Sequence, residues 1–458
     1  MITAAELLAK AGSEPFRSAP EPVRRRVVFL VADVLAAAVS AFNRPEVRAA
    51  ATALLAGGSG PASVIGRVEG QSAPLAALIN AMPVAAEQLQ DGHRGAKGHP
   101  AAHVVPAVLA AAEACGSSGA ETLAAILSGY EIGVRVGEAM GGTPGGVHDI
   151  GTWGPIGAAA GVAHVCSAGD VEVVAAAIDL AAAVPFRPDA ETVFGGATGQ
   201  HLLLGMAVQS AVVTGTSAVA GLRAPVGTLE RYYLPALGAK ADQSRLVDGL
   251  FGSTWGNYKV LDGYIKRHPT CAHLHGINDA VEDLLRDETF EPGSVERVVV
   301  RTYTAASAFD HATPEGDLAA RFSIPFTVAV ALVSGSLTVG SFSERWTTDR
   351  TVRDLAGRVE VRSDPALDGG YPAGRPAVVT VFKADGSVVE AAASRPRGDG
   401  PDALDDARVS SKPFDLLSRS VGSDQATLVM DAVARLETEG PAAVGSVLRG
   451  LRADPSPF

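Results

Sequence analysis

Residues Ala120–Met140, AETLAAILSGYEIGVRVGEAM, predict one long and largely apolar helix. Gly141 and Gly142 follow this segment and mark its end, because glycine readily adopts the left-handed conformation that closes a helix. Segments of the same kind recur from about Pro22 to Leu261. Alanine and glycine are abundant while aromatic residues make up only 5% of the chain, which favours helices that pack closely through small side chains. The sequence therefore predicts a mainly helical body.

The pattern changes after about Lys266, where valine-rich segments predict β-strands. The predicted strands are Val295–Tyr303, Val359–Arg362, Ala377–Lys383 and Ser387–Ala392, with a hairpin turn at Ala384-Asp385-Gly386. Helical character returns at Ser411–Leu451. We therefore expect a mainly α fold. A large all-helical domain is predicted from residues 1–265 and 406–458, and a smaller α+β lid domain is predicted to be inserted at residues 266–405.

The composition limits the partners that the chain can have. Its 458 residues include 38 Lys and Arg against 50 Asp and Glu, a formal net charge of −12. An acidic chain without a long basic run is a poor ligand for nucleic acid or for an anionic membrane, so neither partner is expected. The apolar run Val27–Phe42 contains Asp33 and is shorter than the roughly 20 residues of a membrane span, which predicts a buried helix. An anionic substrate therefore requires a local cluster of cations.

The three cysteines, Cys115, Cys166 and Cys271, are widely spaced. They match neither a disulfide framework nor a CxxC metal pattern. Residues Met1–Pro20 lack the basic start and apolar core of a signal peptide. These features together predict a protein of the reducing cytoplasm.

Histidine is scarce, with 10 in the chain, so a cluster of histidines is informative. The glycine-rich loop DGHRGAKGHP at residues 91–100 contains one carboxyl group, two imidazoles and two cations, contributed by Asp91, His93, His99, Arg94 and Lys97. His99 lies at the entrance of the next predicted helix, whose free N–H groups favour a carboxylate ligand. The loop could bind an anion and exchange a proton. Alternatively, it is a solvated connection in which His99 only caps the helix.

Two further segments contain histidines that could carry chemistry. His148 follows Gly145 and Gly146, and it is either a catalytic acid or a packed turn residue. Lys266–His275, KRHPTCAHLH, lies at the predicted domain boundary, where small-ligand pockets are common. Its Lys and Arg suit a substrate carboxylate and oppose a divalent ion, so no metal is expected. The chain lacks GxGxxG after a strand, GxxxxGK[ST] and GxSxG, which argues against nucleotide cofactors and serine hydrolysis, and no cofactor is expected.

The order of these motifs resembles the MmgE/PrpD family. The resemblance rests on SGPASVIG from Ser59, SAPLAALIN from Ser72, the loop at residues 91–100, the helix at residues 119–140, HDIGTWGPIGAAAG from His148, KRHPTCAHLHGINDAV from Lys266 and ARFSIPFTVAVALVSG from Ala320. It implies a large helical domain, a smaller α+β lid, a homodimer and an active site between the domains. Activities of the family include 2-methylcitrate dehydratase, cis-aconitate decarboxylase and an epimerase of a small dicarboxylate, all without a metal.

The resemblance also implies roles for individual residues. The family's catalytic positions fall on Asp91, His99, His148, Lys266 and Cys271, and a further family histidine falls on His275. Two positions depart from the family pattern. Gly92 replaces a hydroxyl residue that often follows the aspartate, and Phe194 stands where a lysine is usual. The segment Glu191–Gly199 has no cation, although Arg187 could compensate.

These residues lead to a hypothesis about the reaction. His99 and His148 form the acid–base pair, and Asp91 either orients a histidine or acts as a base. The residues expected to bind a small carboxylate substrate are Lys266, His93, Arg94, Lys97, Arg267 and His275. Dehydration of a 2-methylcitrate-like substrate is the leading reaction. The alternatives are a decarboxylase, an epimerase or isomerase of a small dicarboxylate, and a divergent member that is a biosynthetic cyclase or a non-catalytic binding protein.

Overall fold

The computed structural model describes residues 2–55, 57–252 and 254–452, and its fold is mainly helical, as predicted. The helices of the first part of the chain are α1 (Ala4–Gly12), α2 (Glu21–Ala41), α3 (Pro45–Leu54), α4 (Ala73–Ala81), α5 (Pro100–Cys115), α6 (Gly119–Met140), α7 (Gly154–Cys166), α8 (Val171–Ala183), α9 (Ala190–Phe194), α10 (Gly199–Val219) and α11 (Leu234–Leu237). Short strand pairs lie between them: β1 (Gly92–His93) with β4 (Gly263–Tyr264), and β2 (Leu250–Phe251) with β3 (Thr254–Trp255).

Helix α6 is the centre of the helical body. Ser118 and Glu121 form a capping box at its start, and Gly141 ends it in the left-handed conformation, with φ of 64°. The helix packs against α7 through glycines. A Cβ atom on Gly129 would lie 2.7 Å from the carbonyl oxygen of Gly157. Only glycine permits this approach of the two backbones, so the start of α7 is fixed firmly against α6.

The α+β region contains one four-stranded sheet, in the order β6 (Val359–Ser363), β5 (Val295–Thr302), β7 (Ala377–Lys383) and β8 (Val388–Ala393). The β5–β6 pair is parallel and the other pairs are antiparallel. The helices of this region are α12 (His275–Asp287), α13 (Thr304–Ser307), α14 (Gly316–Ala320), α15 (Ile324–Ser334), α16 (Glu344–Thr347) and α17 (Arg350–Ala356). The sheet lies within the predicted range 266–405, and the division of the chain into domains stays a prediction.

The last helices pack on the first ones. They are α18 (Ala407–Val421), α19 (Ser423–Ala434), α20 (Leu436–Glu439) and α21 (Pro441–Gly450), and they contact α2, α5 and α6. Lys412 of α18 forms a buried ion pair of 2.7 Å with Asp33 of α2. Its Nζ also donates to the carbonyl oxygen of Leu89, 2.7 Å away. The end of the chain therefore supports the segment that leads into Asp91.

The expectation of unpaired cysteines is wrong for two of the three. Cys115 ends α5, Cys166 ends α7, and the two form a disulfide, whereas Cys271 is free and buried. The sequence separation of 51 gives no local signal, because the pairing is set by the packing of two helix ends. Disulfides are rare in a reducing cytoplasm, so this bond weighs against the predicted location.

The apolar run at residues 27–42 forms most of α2, a buried helix with Asp33 inside the protein. Among the described residues, α10 is long and apolar enough to cross a membrane, and half of its apolar window is buried. The bent pair α2 and α3 passes the same test, with a bend of 96°. Core helices commonly have this composition.

Candidate active site

One cavity brings together residues from the helical body and from the α+β region. The residues of its wall are Gln88, Gln90, Lys97, Gly98, His99, His148, Asp149, Ile150, Val193, Phe194, Tyr264, Lys266, Cys271, Ala272, His273, Phe322, Tyr371 and Arg375. The volume of the cavity is about 80 Å³, whereas a single water molecule needs roughly 10–15 Å³. The cavity therefore suits a small molecule.

His99 is held at the start of α5 with one ring nitrogen occupied. The preceding loop is closed by a hydrogen bond of 2.7 Å from the N–H of His93 to the carbonyl oxygen of Gly98. Nδ1 of His99 lies 2.6 Å from the carbonyl oxygen of Asp91, and a carbonyl only accepts, so Nδ1 carries the proton. Burial, followed by the charge of Lys266, lowers the pKa of His99 well below its usual value. The ring is neutral near pH 7, and its Nε2 lone pair can accept a proton.

Asp91 supports His99 from behind the cavity wall. Its carboxylate accepts hydrogen bonds of 3.2 Å from the N–H groups of Ala101 and Ala102, in the first turn of α5. Burial raises the pKa of Asp91 to about 7, against the effect of these bonds. Because the wall of the cavity does not include Asp91, its placement favours the orienting role over the role of a base.

His148 shows the opposite arrangement of its ring. The N–H of Ile150 donates to its Nδ1 at 3.0 Å, so in the neutral ring the proton is on Nε2. Burial is the main cause of its lowered pKa. The Oδ1 atom of Asp149 lies 3.2 Å from Nδ1 and would accept its proton in the charged form. His148 can therefore act as a proton donor with Asp149 behind it.

His103 links the two histidine loops and was not predicted from the sequence. Its Nδ1 donates to the carbonyl oxygen of His99 at 2.8 Å, and its Nε2 accepts from the N–H of Gly151 at 3.1 Å. The same ring lies against Gly154 at the start of α7, where a Cβ atom would come within 2.5 Å. The one sequence feature that could have indicated a role for His103 is its position four residues after His99, on the same face of α5.

Two buried cations lie in the wall of the cavity. Lys266 donates to Oε1 of Gln88 at 3.3 Å, and burial lowers its pKa to about 7. The guanidinium of Arg375 lies 4.6 Å from the ring centre of Tyr264, and none of the described carboxylates forms an ion pair with it. A bound carboxylate would neutralise both groups, and it would stabilise the charged form of Lys266. Arg375 was missed because it stands alone in the sequence.

The cavity wall also contains a cluster of phenylalanines. The ring centre of Phe194 lies 4.8 Å from that of His148, 5.7 Å from Phe309 and 6.2 Å from Phe322. Arg187 is exposed and is not part of the cavity wall, so it does not replace the cation expected near Phe194. Cys271, another wall residue, is a buried thiol whose pKa is raised by burial.

Four residues expected to bind substrate lie elsewhere. His93 is buried and accepts from the N–H of Ala96. Arg94 donates to the carbonyl oxygen of Ala373 and pairs with Asp399. The other two are Arg267, which pairs with Asp279 and Glu282, and His275, which packs its ring on His268. None of these four residues is among those of the cavity wall, and each side chain already contacts other groups of the protein. Lys97 does line the cavity.

Gly92, the other departure from the expected pattern, has a packing reason. A Cβ atom at this position would collide with the ring of Tyr264, the residue opposite it in the β1–β4 pair. Tyr264 in turn supports Arg375.

Among the described residues, one cluster has the spacing of metal ligands: His268, Asp279 and Glu282. Arg267 pairs with both carboxylates, and Arg397 pairs with Glu282 at 3.1 Å. These guanidinium groups take the place that a divalent cation would need.

Both parts of the chain match models of one protein family. A family model for the MmgE/PrpD N-terminal domain matches residues 6–235, and one for the MmgE/PrpD C-terminal domain matches residues 268–438. A cis-aconitate decarboxylase from Aspergillus terreus strain NIH 2624 is 28% identical over 312 residues, and a second from Aspergillus terreus is 27% identical over 312 residues. Each match covers 62% of this chain and 62% of the relative.

The tautomers of His99 and His148 can be tested without a substrate. In protein labelled with ¹⁵N-histidine near pH 7, His99 should show a protonated Nδ1 and a bare Nε2, and His148 should show the reverse. The variants His99→Gln and His148→Gln identify the two sets of signals. Observing the same tautomer in both rings, or two imidazolium rings, would contradict the hydrogen bonds described above.

Proposed function

The chain belongs to the MmgE/PrpD family, and from this premise we propose that it is a lyase that moves protons at the carbon next to a carboxylate of a small substrate. The observation that carries the proposal is the pairing of two neutral histidines, His99 and His148, with two cations, Lys266 and Arg375, in one small cavity. The chain spans 62% of the length of the curated relatives it matches. The proposed steps use only side chains of this chain.

The substrate carboxylate binds Arg375 and Lys266. The guanidinium fork matches a carboxylate in two parallel hydrogen bonds, and the lysine adds a second positive charge. Removing a proton from the neighbouring carbon moves negative charge onto the carboxylate oxygens. These cations therefore stabilise the intermediate more than the substrate, which is the condition for catalysis.

Dehydration is the first candidate reaction because it uses both a base and an acid. Nε2 of His99 takes the proton from the carbon next to the carboxylate. His148 is neutral in the free protein, and it takes up a proton at Nδ1, facing Asp149, when the substrate carboxylate binds. In this charged form it donates the proton on Nε2 to the hydroxyl group of the next carbon. The carbon–oxygen bond breaks, water leaves, and the electron pair of the broken C–H bond forms the double bond. His99 ends protonated and His148 ends neutral, so charge is conserved.

Decarboxylation is the second candidate, and the names of the two relatives favour it. It needs only the acid: carbon dioxide leaves, and His148 protonates the carbon that keeps the electron pair. For either reaction, we propose that residues 266–405 form a lid domain over the helical body. The cavity wall contains residues of this range and residues of the helical body.

Loss of either histidine should slow dehydration strongly, because that reaction uses both a base and an acid. We expect His99→Gln and His148→Gln to lower turnover by about 100- to 10,000-fold, the usual range for a general acid or base. The assay is ¹H NMR in D₂O with a panel of small hydroxy- and unsaturated carboxylates, which reports exchange, water loss and carbon dioxide release separately. His311→Gln, at an exposed histidine, is the matched control. Unchanged exchange in both cavity variants would refute the assignment.

We also propose that the protein is a homodimer whose interface includes α10. One side of this helix packs on α4 and α7, and the other exposes Leu202, Met206 and Val213 by 49%, 39% and 49%. Contiguous exposed apolar surface is typical of an interface with another chain. Spacings of four and then seven residues place the three side chains on one stripe of the helix, so a second copy of the same helix can cover them.

The α10 interface is tested by the double variant Met206→Glu and Val213→Glu. Sedimentation velocity should give a dimer for the natural sequence and a monomer for the variant, because the charges would be buried without partners. Leu428→Glu, at an exposed leucine of α19, should leave the dimer intact. A monomeric natural protein, or a dimeric double variant, would exclude this interface.

A further inference from the structure

We infer that the substrate carries an apolar substituent close to its reacting carbon, and that Phe194 and Phe322 hold this group. The inference rests on the proposed function, because it assumes that a carboxylate binds at Arg375 and Lys266. It adds the class of substrate: small carboxylates with a short alkyl branch, in place of molecules with a carboxylate at every end.

The cavity is lined by two chemically different groups of residues. Arg375 and Lys266 are buried cations without a carboxylate partner among the described residues. Phe194 contacts Phe322 and Phe309 edge to face, and Phe194, Phe322, Val193 and Ile150 are apolar residues of the cavity wall. A ligand that satisfies both groups of residues has one anionic end and one apolar group.

Phe194 is incompletely covered by the protein itself. Its ring makes three aromatic contacts, yet the residue is 42% exposed overall, and it is one of the residues of the cavity wall. Apolar surface left open in a ligand cavity gains free energy when a ligand covers it. The contact between Phe194 and His148 places this surface beside the proposed proton donor, so the apolar group sits next to the reacting carbon.

The aromatic wall also disfavours an additional carboxylate. The segment from Glu191 to Gly199 has no lysine or arginine, and Arg187 is exposed outside the wall. A carboxylate against Phe194 would lose its water without gaining a partner, which is unfavourable. Lys97 offers a further positive charge in the wall, so a second carboxylate can be accommodated away from the phenylalanines.

The test is a binding series measured by isothermal titration calorimetry with succinate, 2-methylsuccinate, 2-ethylsuccinate and citrate. For the natural protein we expect affinity to rise by about 3- to 10-fold for each added carbon of the branch, in line with the modest selectivity of hydrophobic pockets. Citrate should bind more weakly than 2-ethylsuccinate. In Phe194→Ala the gain from the branch should vanish while succinate affinity stays the same, and Phe194→Leu should keep part of the gain.

The controls separate failure of this inference from failure of the proposed function. Phe251→Ala, at an exposed phenylalanine outside the cavity, should keep the full series. Arg375→Met should weaken every ligand equally. If succinate binds and the series is flat, or if Phe194→Ala keeps the gain, the apolar pocket is refuted while the carboxylate site stands. If citrate binds most tightly, the substrate class is wrong. If no ligand binds, both proposals fail.

Discussion

The hydrogen bonds of His103 are the interaction on which the site depends. One ring nitrogen donates to the carbonyl oxygen of His99 and the other accepts from the N–H of Gly151, so a single imidazole fixes the distance between two loops. The ring fits only because Gly154 has no side chain. The loops contain the proposed base and acid. Their relative position is therefore set by helix packing behind the cavity, through groups that do not touch a substrate.

Burial gives these groups their chemical character. Removal from water disfavours charge, so the pKa values of His99 and His148 fall and that of Lys266 drops to about 7. The same effect makes an unpaired Arg375 costly for the folded protein. A bound anionic ligand can provide the missing partner of such a buried cation. Buried groups with shifted pKa values are common in active sites. In the proposed function, the carboxylate of the substrate is the negatively charged partner of Arg375.

Much of the fold could be predicted because it follows from local patterns. The periodic apolar segments gave helices, and the strand at Ala377–Lys383 has the bounds expected from its alternation. Several of the expected wall residues, including His99, His148 and Lys266, do line one cavity. Arg375 could not be found in this way, since an isolated arginine has no motif.

The errors have a common cause. Arg267 lies next to Lys266 in the chain, yet its side chain points to Asp279 and Glu282 on α12. The disulfide likewise depends on two helix ends meeting in space. Sequence proximity identifies a segment, and only packing decides which side chains of that segment face the same cavity. Residues that are far apart in the chain can also meet in space: Phe194 contacts Phe309 and Phe322, which lie more than a hundred residues away in the sequence.

A crystal structure of the protein with bound 2-methylsuccinate tests the central claim most directly. The account predicts one carboxylate in two hydrogen bonds with Arg375 and within reach of Lys266. The neighbouring carbon should lie within about 3.5 Å of Nε2 of His99, with Nε2 of His148 facing the adjacent carbon. An anion bound at Arg267, or a ligand in the cavity whose carbons lie far from both Nε2 atoms, would contradict the account.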